Sequence, residues 1–311
     1  MTAMSSSTVL VTGVAGFLGR YVAREFLRLG WRVIGLDVVA EENAPPSVEY
    51  HRMVLPNLDF AGLLVQAQPN ACIHCAGRAS VGHSLIDPAA DFRDSATVTF
   101  ELLDALRLTA ARCRTVLLSS AAVYGNPTSL PVSETHALSP LSPYGYHKLM
   151  CEHLAEEFFR IYGLPTVVVR VFSAYGPGLR RQVIWDICER ALTSDTLRLH
   201  GTGDESRDFI HAADIAAGMT LLVEKAPFEG NRYNLATGCE TTIKSLAEQV
   251  IEELGRCVVP EYDGISTAGD PRNWRADISR LAALGFSPRL SLGEGLRGVA
   301  AWAKAELSLA T

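Results

Sequence analysis

No apolar run in this 311-residue chain reaches the length of a membrane span, so no transmembrane segment is expected. The N-terminus, Met-Thr-Ala-Met-Ser-Ser-Ser, lacks the basic region and apolar stretch of a secretory signal and reads as a short disordered lead-in. Seven cysteines are scattered without a disulfide-like framework, which makes a reducing cytoplasm the expected location. Basic charge is not in excess either: 28 Lys and Arg stand against 34 Asp and Glu, for a net charge of −6. Nucleic-acid binding needs a concentrated basic face and is disfavoured, whereas a few well-placed arginines suffice for a diphosphate. Internal repeats and low-complexity segments are also missing.

Cys72-Ile-His74-Cys75 resembles a metal or redox motif, but no second Cys pair at zinc-like spacing accompanies it. The run Ala71 to Cys75 also reads as a buried strand, where positions three apart point to opposite faces. A core strand without metal is the expectation.

What the chain does have is alternation. Strands are expected at Thr8 to Thr12, Arg32 to Asp37, Ala71 to Cys75, Thr115 to Ser119 and Thr166 to Phe172. Helices are expected at Gly19 to Leu29, Asp59 to Gln66, Val98 to Leu108 and about Tyr144 to Tyr162. Such βαβ alternation implies a parallel sheet covered on both faces, an α/β Rossmann doubly wound architecture. Loops after Asp37, Cys75 and Ser119 would lie along one rim, where open α/β sheets bind ligands. The Pro- and Ser-rich stretch from Pro127 to Pro143 reads as a loop. Beyond Gly176 the alternation loosens, which suggests a smaller mixed α/β lobe and a return to the sheet near Tyr233 to Leu235.

Val9-Leu-Val-Thr-Gly13-Val-Ala-Gly16-Phe17-Leu18-Gly19 is an apolar strand running into glycines and then a helix. Gly13 and Gly16 allow a tight turn close to a pyrophosphate, Gly19 allows close helix–sheet packing, and the helix N-terminus faces the anion. Asp37 follows Gly19 by 18 residues at the end of the next strand. A carboxylate there accepts hydrogen bonds from ribose hydroxyls and repels a 2′-phosphate, which favours NAD over NADP.

Ser120 follows the strand Val116-Leu-Leu-Ser119, and Tyr144-Gly-Tyr146-His147-Lys148 opens the long helix. Lys148, four residues after Tyr144, shares its helix face, and a cationic amine beside a phenol favours the phenolate. Tyr144 is then a candidate to take a sugar hydroxyl proton as the adjoining carbon gives a hydride to nicotinamide, with Ser120 holding that hydroxyl. Tyr146 reads as a packing residue and His147 as a solvated helix position.

Taken together these segments resemble the extended short-chain dehydrogenase/reductase family, in particular its NAD-dependent sugar-nucleotide epimerases and dehydratases, over nearly the whole chain. The matching motifs are Thr12 to Gly19, His74 to Gly77 with Ser80 to Ser84, SSAAVYG at Ser119 to Gly125, and SPYxxxK at Ser142 to Lys148. Further along they are RVFSAYGPG at Arg170 to Gly178, SRDFIHAAD ending at Asp214, and Gly269-Asp270 followed by Ala276-Asp277-Ile-Ser. The resemblance implies an NAD-binding Rossmann domain over 1–172 with a return at about 212–238, and a substrate-binding lobe from 173–211 and 239–311. It implies catalysis by Ser120, Tyr144 and Lys148, and cofactor contacts from Gly13, Gly16, Phe17, Leu18, Gly19, Asp37, Val54, Ala76, Gly77, Tyr144 and Lys148. Substrate contacts are expected from Ser84, Ser120, Ser173, Arg180, Gln182, Arg207, Arg272 and Trp274, with Arg207 on the diphosphate. Arg181 fits either a ligand contact or a surface ion pair. In the resembled 4-epimerases the position of Trp274 lines the pocket beside C2 of the sugar, and the alternative is that its ring packs the lobe's core, facing away from the sugar.

The chain departs from the family pattern at several places. Ser173 stands where Asn is frequent, Thr267 where an Arg is frequent, and Asp94-Ser95-Ala96-Thr97 replaces an Asn-rich helix start. Arg272 or Arg275 is the candidate replacement for the missing arginine, and the acid that meets adenine is replaced near Met53-Val54. The 4,6-dehydratases carry acidic groups just after the catalytic Ser or Thr; here those positions are Ala121 and Ala122, which transfer no proton. The resemblance therefore points to a nucleoside-diphosphate-sugar 4-epimerase working through a transient 4-keto sugar, with NAD as cofactor, no metal, no nucleic-acid or membrane partner, and a homodimer as the expected assembly. Its alternatives are a 4-keto-sugar reductase or other sugar-nucleotide oxidoreductase or dehydratase of the same family, and, more remotely, a catalytically silent NAD-binding regulator.

Overall fold

The computed structural model describes residues 7–265 and 271–308, so the N-terminal lead-in, Thr267 and Gly269-Asp270 lie outside the described residues. Six strands come first: β1 (Thr8–Thr12), β2 (Arg32–Asp37), β3 (Glu49–Arg52), β4 (Ala71–His74), β5 (Arg114–Ser120) and β6 (Thr166–Val171). Shorter ones follow: β7 (Ser173–Tyr175), β8 (Leu197–Leu199), β9 (Ser206–Arg207) and β10 (Phe209–His211). The last are β11 (Glu229–Leu235), β12 (Thr241–Thr242) and β13 (Pro260–Tyr262). Seven of them form one sheet in the order β11-β6-β5-β4-β1-β2-β3, with every neighbour parallel.

Helices cover both faces, as a parallel sheet requires. Against one face lie α1 (Phe17–Arg28) and, later in the chain, the helix Ala212–Lys225, sharing a core with Val9, Val11, Val167, Val169 and Leu235. On the other lie α2 (Leu58–Ala67), a helix at Val98–Thr109 and the helix Pro143–Tyr162, packed on Leu10, Ile34, Cys72 and Val168. Consecutive β1 residues thus feed opposite cores, which is why Thr8–Thr12 is buried throughout.

Between α2 and the helix at Val98 come α3 (Val81–Ile86), α4 (Pro88–Phe92) and a π-helical turn (Arg93–Thr97). The helix Val98–Thr109 is α5, Pro143–Tyr162 is α6, Gln182–Thr193 is α7 and Ala212–Lys225 is α8. After them come α9 (Ile243–Leu254), α10 (Ser279–Ala283) and α11 (Leu292–Ser308). A second core, built from α7, α9 and α11 around Ile187, Leu246, Val250 and Leu296, forms the smaller lobe. Among the described residues no helix is long and apolar enough to cross a membrane.

The sequence expectation missed β3, α3 and α4. Glu-Tyr-His-Arg lacks apolar alternation because β3 is an edge strand paired only with β2. Helix α3 is six residues long and α4 five, too short to display a helical period.

Arg170 and Glu152 form a buried ion pair behind the sheet's rim at 2.6 Å, with side chains 1% and 0% exposed. Ser119 donates to the same carboxylate at 2.6 Å, and Arg170 also donates to Tyr124 Oη at 2.8 Å and to the Glu134 carbonyl at 3.0 Å. This network ties α6, β5, β6 and the loop at Glu134 together. Loss of one partner would strand a buried charge.

Candidate active site

The strand order reverses between β1 and β4, and a cleft of about 1160 Å³ opens along the rim there and toward the smaller lobe. One drug-sized ligand takes roughly 300–1,000 Å³, so there is room for a cofactor and a substrate together.

The glycine loop forms the cleft's edge at the start of α1. Gly13 has φ +67°, and a Cβ on it would meet the backbone of Cys75 and Ala76 within 2.9 Å. A Cβ on Gly19 would lie 2.0 Å from the Gly13 carbonyl oxygen. Gly16 caps α1 without any side-chain bond, so the first-turn N–H groups are presented to the cleft, which Gly16, Phe17, Leu18 and Gly19 all line. Asp37 Oδ2 accepts from Ala15 N–H at 2.9 Å, pinning the loop to the end of β2. Ala76 N–H donates to Thr12 Oγ1 at 3.3 Å, joining the loops after β4 and β1. Val54 lies just past the edge strand β3 and is 63% exposed.

Cys72 and His74 lie in the core strand β4, and Cys75 stands just past its end. His74 is buried with Nδ1 2.7 Å from Thr12 Oγ1 and Nε2 3.2 Å from Thr99 Oγ1, so both ring nitrogens are engaged within the protein. Burial, and secondly the Lys148 charge, hold its pKa down at about 3. Burial pushes the Cys75 thiol, which borders the cleft, up to about 12, far from a reactive thiolate.

Ser120 reaches the cleft because β5 ends on it, and its Oγ accepts from Ala122 N–H at 3.2 Å. Helix α6 starts beside it, with Ser142 as N-cap accepting from Gly145 N–H at 3.3 Å and Pro143 in the first turn. Tyr144 and Lys148 both line the cleft, on one face of α6. Lys148 Nζ donates to the Leu118 carbonyl at 3.1 Å and lies 5.9 Å from the Tyr144 ring centre. A Cβ on Gly77, where φ is +126°, would stand 3.6 Å from that ammonium.

Three expectations need correction. Ser84, expected against substrate, is fully buried; its Oγ donates to the Val81 carbonyl at 2.7 Å and accepts from Tyr144 N–H at 3.1 Å. It anchors the start of α6 because α3 packs against that helix. His147 is not a solvated position: α4 covers it, and its Nδ1 lies 2.6 Å from Asp91 Oδ2. Tyr146, read as packing, is 53% exposed.

On the lobe side, Ser173, Gln182, Arg207, Arg272 and Trp274 line the cleft. Arg180 turns outward to an ion pair with Glu306 on α11, and it is Arg181 that lines the cleft and donates to the Ala79 carbonyl. Arg181 is extended, with φ −165° and ψ 172°, and along an extended backbone successive side chains point to opposite sides, so the neighbouring arginines go to different places. Sequence reasoning also missed Asn126, which lines the cleft and accepts from Arg272 N–H at 2.7 Å through Oδ1. No spacing marks it, because its partner lies 146 residues away.

The sequence pattern of the NAD dependent epimerase/dehydratase family matches residues 9–236, a span holding the glycine loop, Ser120, Tyr144, Lys148 and Arg207. This chain belongs to that family. A UDP-glucose 4-epimerase of Mycolicibacterium smegmatis is 29% identical over 303 residues, covering 92% of this chain and 95% of that protein. The solved UDP-glucose 4-epimerase of Thermotoga maritima with UDP-glucose superposes with a TM-score of 0.89 at 28% identity, covering 96% of this chain and 99% of that one. The UDP-glucuronic acid 4-epimerase of Bacillus cereus, solved with UDP-glucuronic acid and NAD, gives 0.88 at 26% identity, covering 96% and 99%.

The resemblance read from the motifs and the expected Rossmann architecture are thereby shown. As a member of that family the chain is an NAD-dependent enzyme of the epimerase/dehydratase type. The residues present fit NAD: the glycine cradle leaves no space for side chains, the α1 terminus is uncapped, and Asp37 closes β2 beside them.

Proposed function

We propose that this enzyme interconverts C4 epimers of a nucleoside-diphosphate hexose, with a UDP-sugar as the substrate class. The observation that carries the reading is that Ser120, Tyr144 and Lys148 border the same cleft as the glycine loop and Arg207. Ala122 borders it too, and Ala121 beside it is fully buried, so the two positions where the dehydratases carry acids supply no proton donor. The UDP-sugar class rests on relatives named for UDP-glucose and UDP-glucuronate epimerisation.

In this reading Tyr144 takes the proton of the C4 hydroxyl, Ser120 holds that hydroxyl by hydrogen bonding, and Lys148 supports the developing phenolate charge. NAD, when bound, supplies a hydride acceptor that returns what it takes. The 4-keto sugar turns about the diphosphate linkage, which Arg207 grips, so that the hydride returns to the opposite face of C4 while Tyr144 gives its proton back to the C4 oxygen. Arg272 and Gln182 border the same region and extend the polar wall.

Residues 1–172 with the 212–238 return hold the cofactor in this proposal, and 173–211 with 239–311 hold the nucleotide sugar. Exposed Phe100 and Leu108 on α5, with Met150, Ile161 and Tyr162 on α6, form an apolar face that a second copy would cover in a homodimer. A cytoplasmic location completes the reading. Incubating the enzyme with UDP-glucose, UDP-glucuronate or their C4 epimers and following the sugar signals by NMR tests it: one pair should equilibrate, and no turnover of any would favour a silent NAD-binding protein.

A further inference from the structure

Trp274 is held on several sides. Its backbone N–H donates to the Ser206 carbonyl at 3.1 Å, and its indole Nε1–H donates to the Gly125 carbonyl at 3.2 Å. The ring meets Phe172 edge-on, with centroids 5.9 Å apart. Gly125 is itself packed closely on the Ser139 backbone, since it sits at φ +62° and a Cβ there would lie 1.9 Å from the Ser139 carbonyl oxygen. The indole is therefore a rigid platform, 8% exposed, packed beneath the segment that carries Ser120.

Arg207 uses that platform. Its guanidinium carbon lies 5.5 Å from the Trp274 ring centre, within the range of a cation–π contact. Its Nη1 donates to the Ser206 carbonyl at 2.8 Å and to the Arg272 carbonyl at 3.2 Å, so one edge of the fork is clamped by backbone. An unsupported arginine would lose rotamer freedom each time it met a ligand. Here indole and carbonyls remove that freedom in advance.

We propose that Trp274 is a positioning residue for diphosphate recognition, fixing Arg207 through its ring and linking the phosphate grip to the Ser120 segment through Gly125. The inference rests on the reading of Arg207 as the diphosphate ligand. It differs from a wall beside the sugar, because it predicts an effect on a ligand that has no sugar at all.

The test is calorimetric titration of UDP into the NAD-loaded enzyme and into Arg207→Gln, Trp274→Met, Trp274→Phe and the Arg207→Gln/Trp274→Met double variant. Arg207→Gln should weaken UDP by tenfold or more, about the scale of a lost charge-assisted bond. Trp274→Met keeps an apolar but smaller side chain without a π face and should weaken UDP by about fivefold to tenfold. Trp274→Phe keeps a π face but loses the Nε1–H bond to Gly125, so it should weaken UDP by about twofold to fourfold. Unchanged affinity there overturns the proposal even where the Met variant fails to fold. The double variant should bind no more weakly than Arg207→Gln alone, since the two groups act as one. Unchanged UDP affinity in Trp274→Met, beside a weakened Arg207→Gln, overturns the positioning role and leaves the diphosphate reading standing. Unchanged affinity in Arg207→Gln overturns that reading and this inference with it.

Discussion

Lys148 holds its ammonium 5.9 Å from the centre of the Tyr144 ring, one turn along α6, and is itself fixed by donating to the Leu118 carbonyl at 3.1 Å. The pair is anchored at its other end by Ser84, whose hydroxyl accepts the Tyr144 N–H. Tyr144→Phe removes the phenol oxygen that is proposed to transfer the proton and leaves these contacts in place. It should lower kcat by at least about a hundredfold with the melting temperature little changed. Tyr146→Phe, at a position 53% exposed, should change kcat far less. Comparable activity in the two variants would contradict the assignment.

Asp37 closes β2 and accepts the Ala15 N–H at 2.9 Å, so its carboxylate holds the glycine loop, and in the proposed reading it also meets the ribose of NAD. The wild type should bind NAD much more tightly than NADP. Asp37→Ala should weaken NAD by about tenfold or more and narrow the gap, as expected for lost charge-assisted hydrogen bonds and relieved repulsion. Fluorescence titration of both reduced cofactors measures this, and a wild type preferring NADPH would overturn it.

The glycine loop, the Ser120 strand end and the Tyr144–Lys148 helix were legible because each is local: a strand, a turn and a helix within a few residues. What was not legible depends on distant partners. The arginine that borders the cleft is Arg181 rather than Arg180 because the extended backbone there sends successive side chains to opposite sides. Ser84 and His147 are buried by α3 and α4, elements too short to show a period. Asn126 reaches its partner Arg272 across the cleft's rim, a contact no spacing encodes.

Trp274 also bears on sugar choice, since its ring borders the cleft while packing on Phe172. If it walls the space beside C2, a 2-acetamido sugar must press on a rigid indole at a cost of about 1–3 kcal/mol, one to two decades in affinity. Hexose nucleotides should then outpace their N-acetylhexosamine counterparts in kcat/KM, and Trp274→Ser should shrink that ratio. A loosened Arg207 weakens both substrates alike, so the ratio isolates the wall. Equal turnover of both by the wild type would defeat the idea.

His74 is expected to make the fold acid-sensitive. Its pKa is about 3 in the folded protein against 6.5 ordinarily, so below 6.5 the unfolded chain binds a proton that the folded one refuses. Stability from this group is whole above that pH and falls by ~1.4 kcal/mol per pH unit on acidification toward 3. Between pH 6.5 and 5 the wild type should lose roughly 2 kcal/mol more than His74→Gln in urea unfolding. Equal losses would show that His74 is not held neutral.

The central claim is that hydrogen leaves C4 of the sugar and returns to C4 of the same sugar. A UDP-hexose carrying deuterium at C4, incubated with the NAD-loaded enzyme and analysed by NMR and mass spectrometry, tests it directly. The expected result is the C4 epimer with deuterium retained at C4, no net reduction of NAD and no 4-keto-6-deoxy product. Loss of the label to solvent, stoichiometric NADH, or an accumulating 4-keto-6-deoxy sugar would contradict the account.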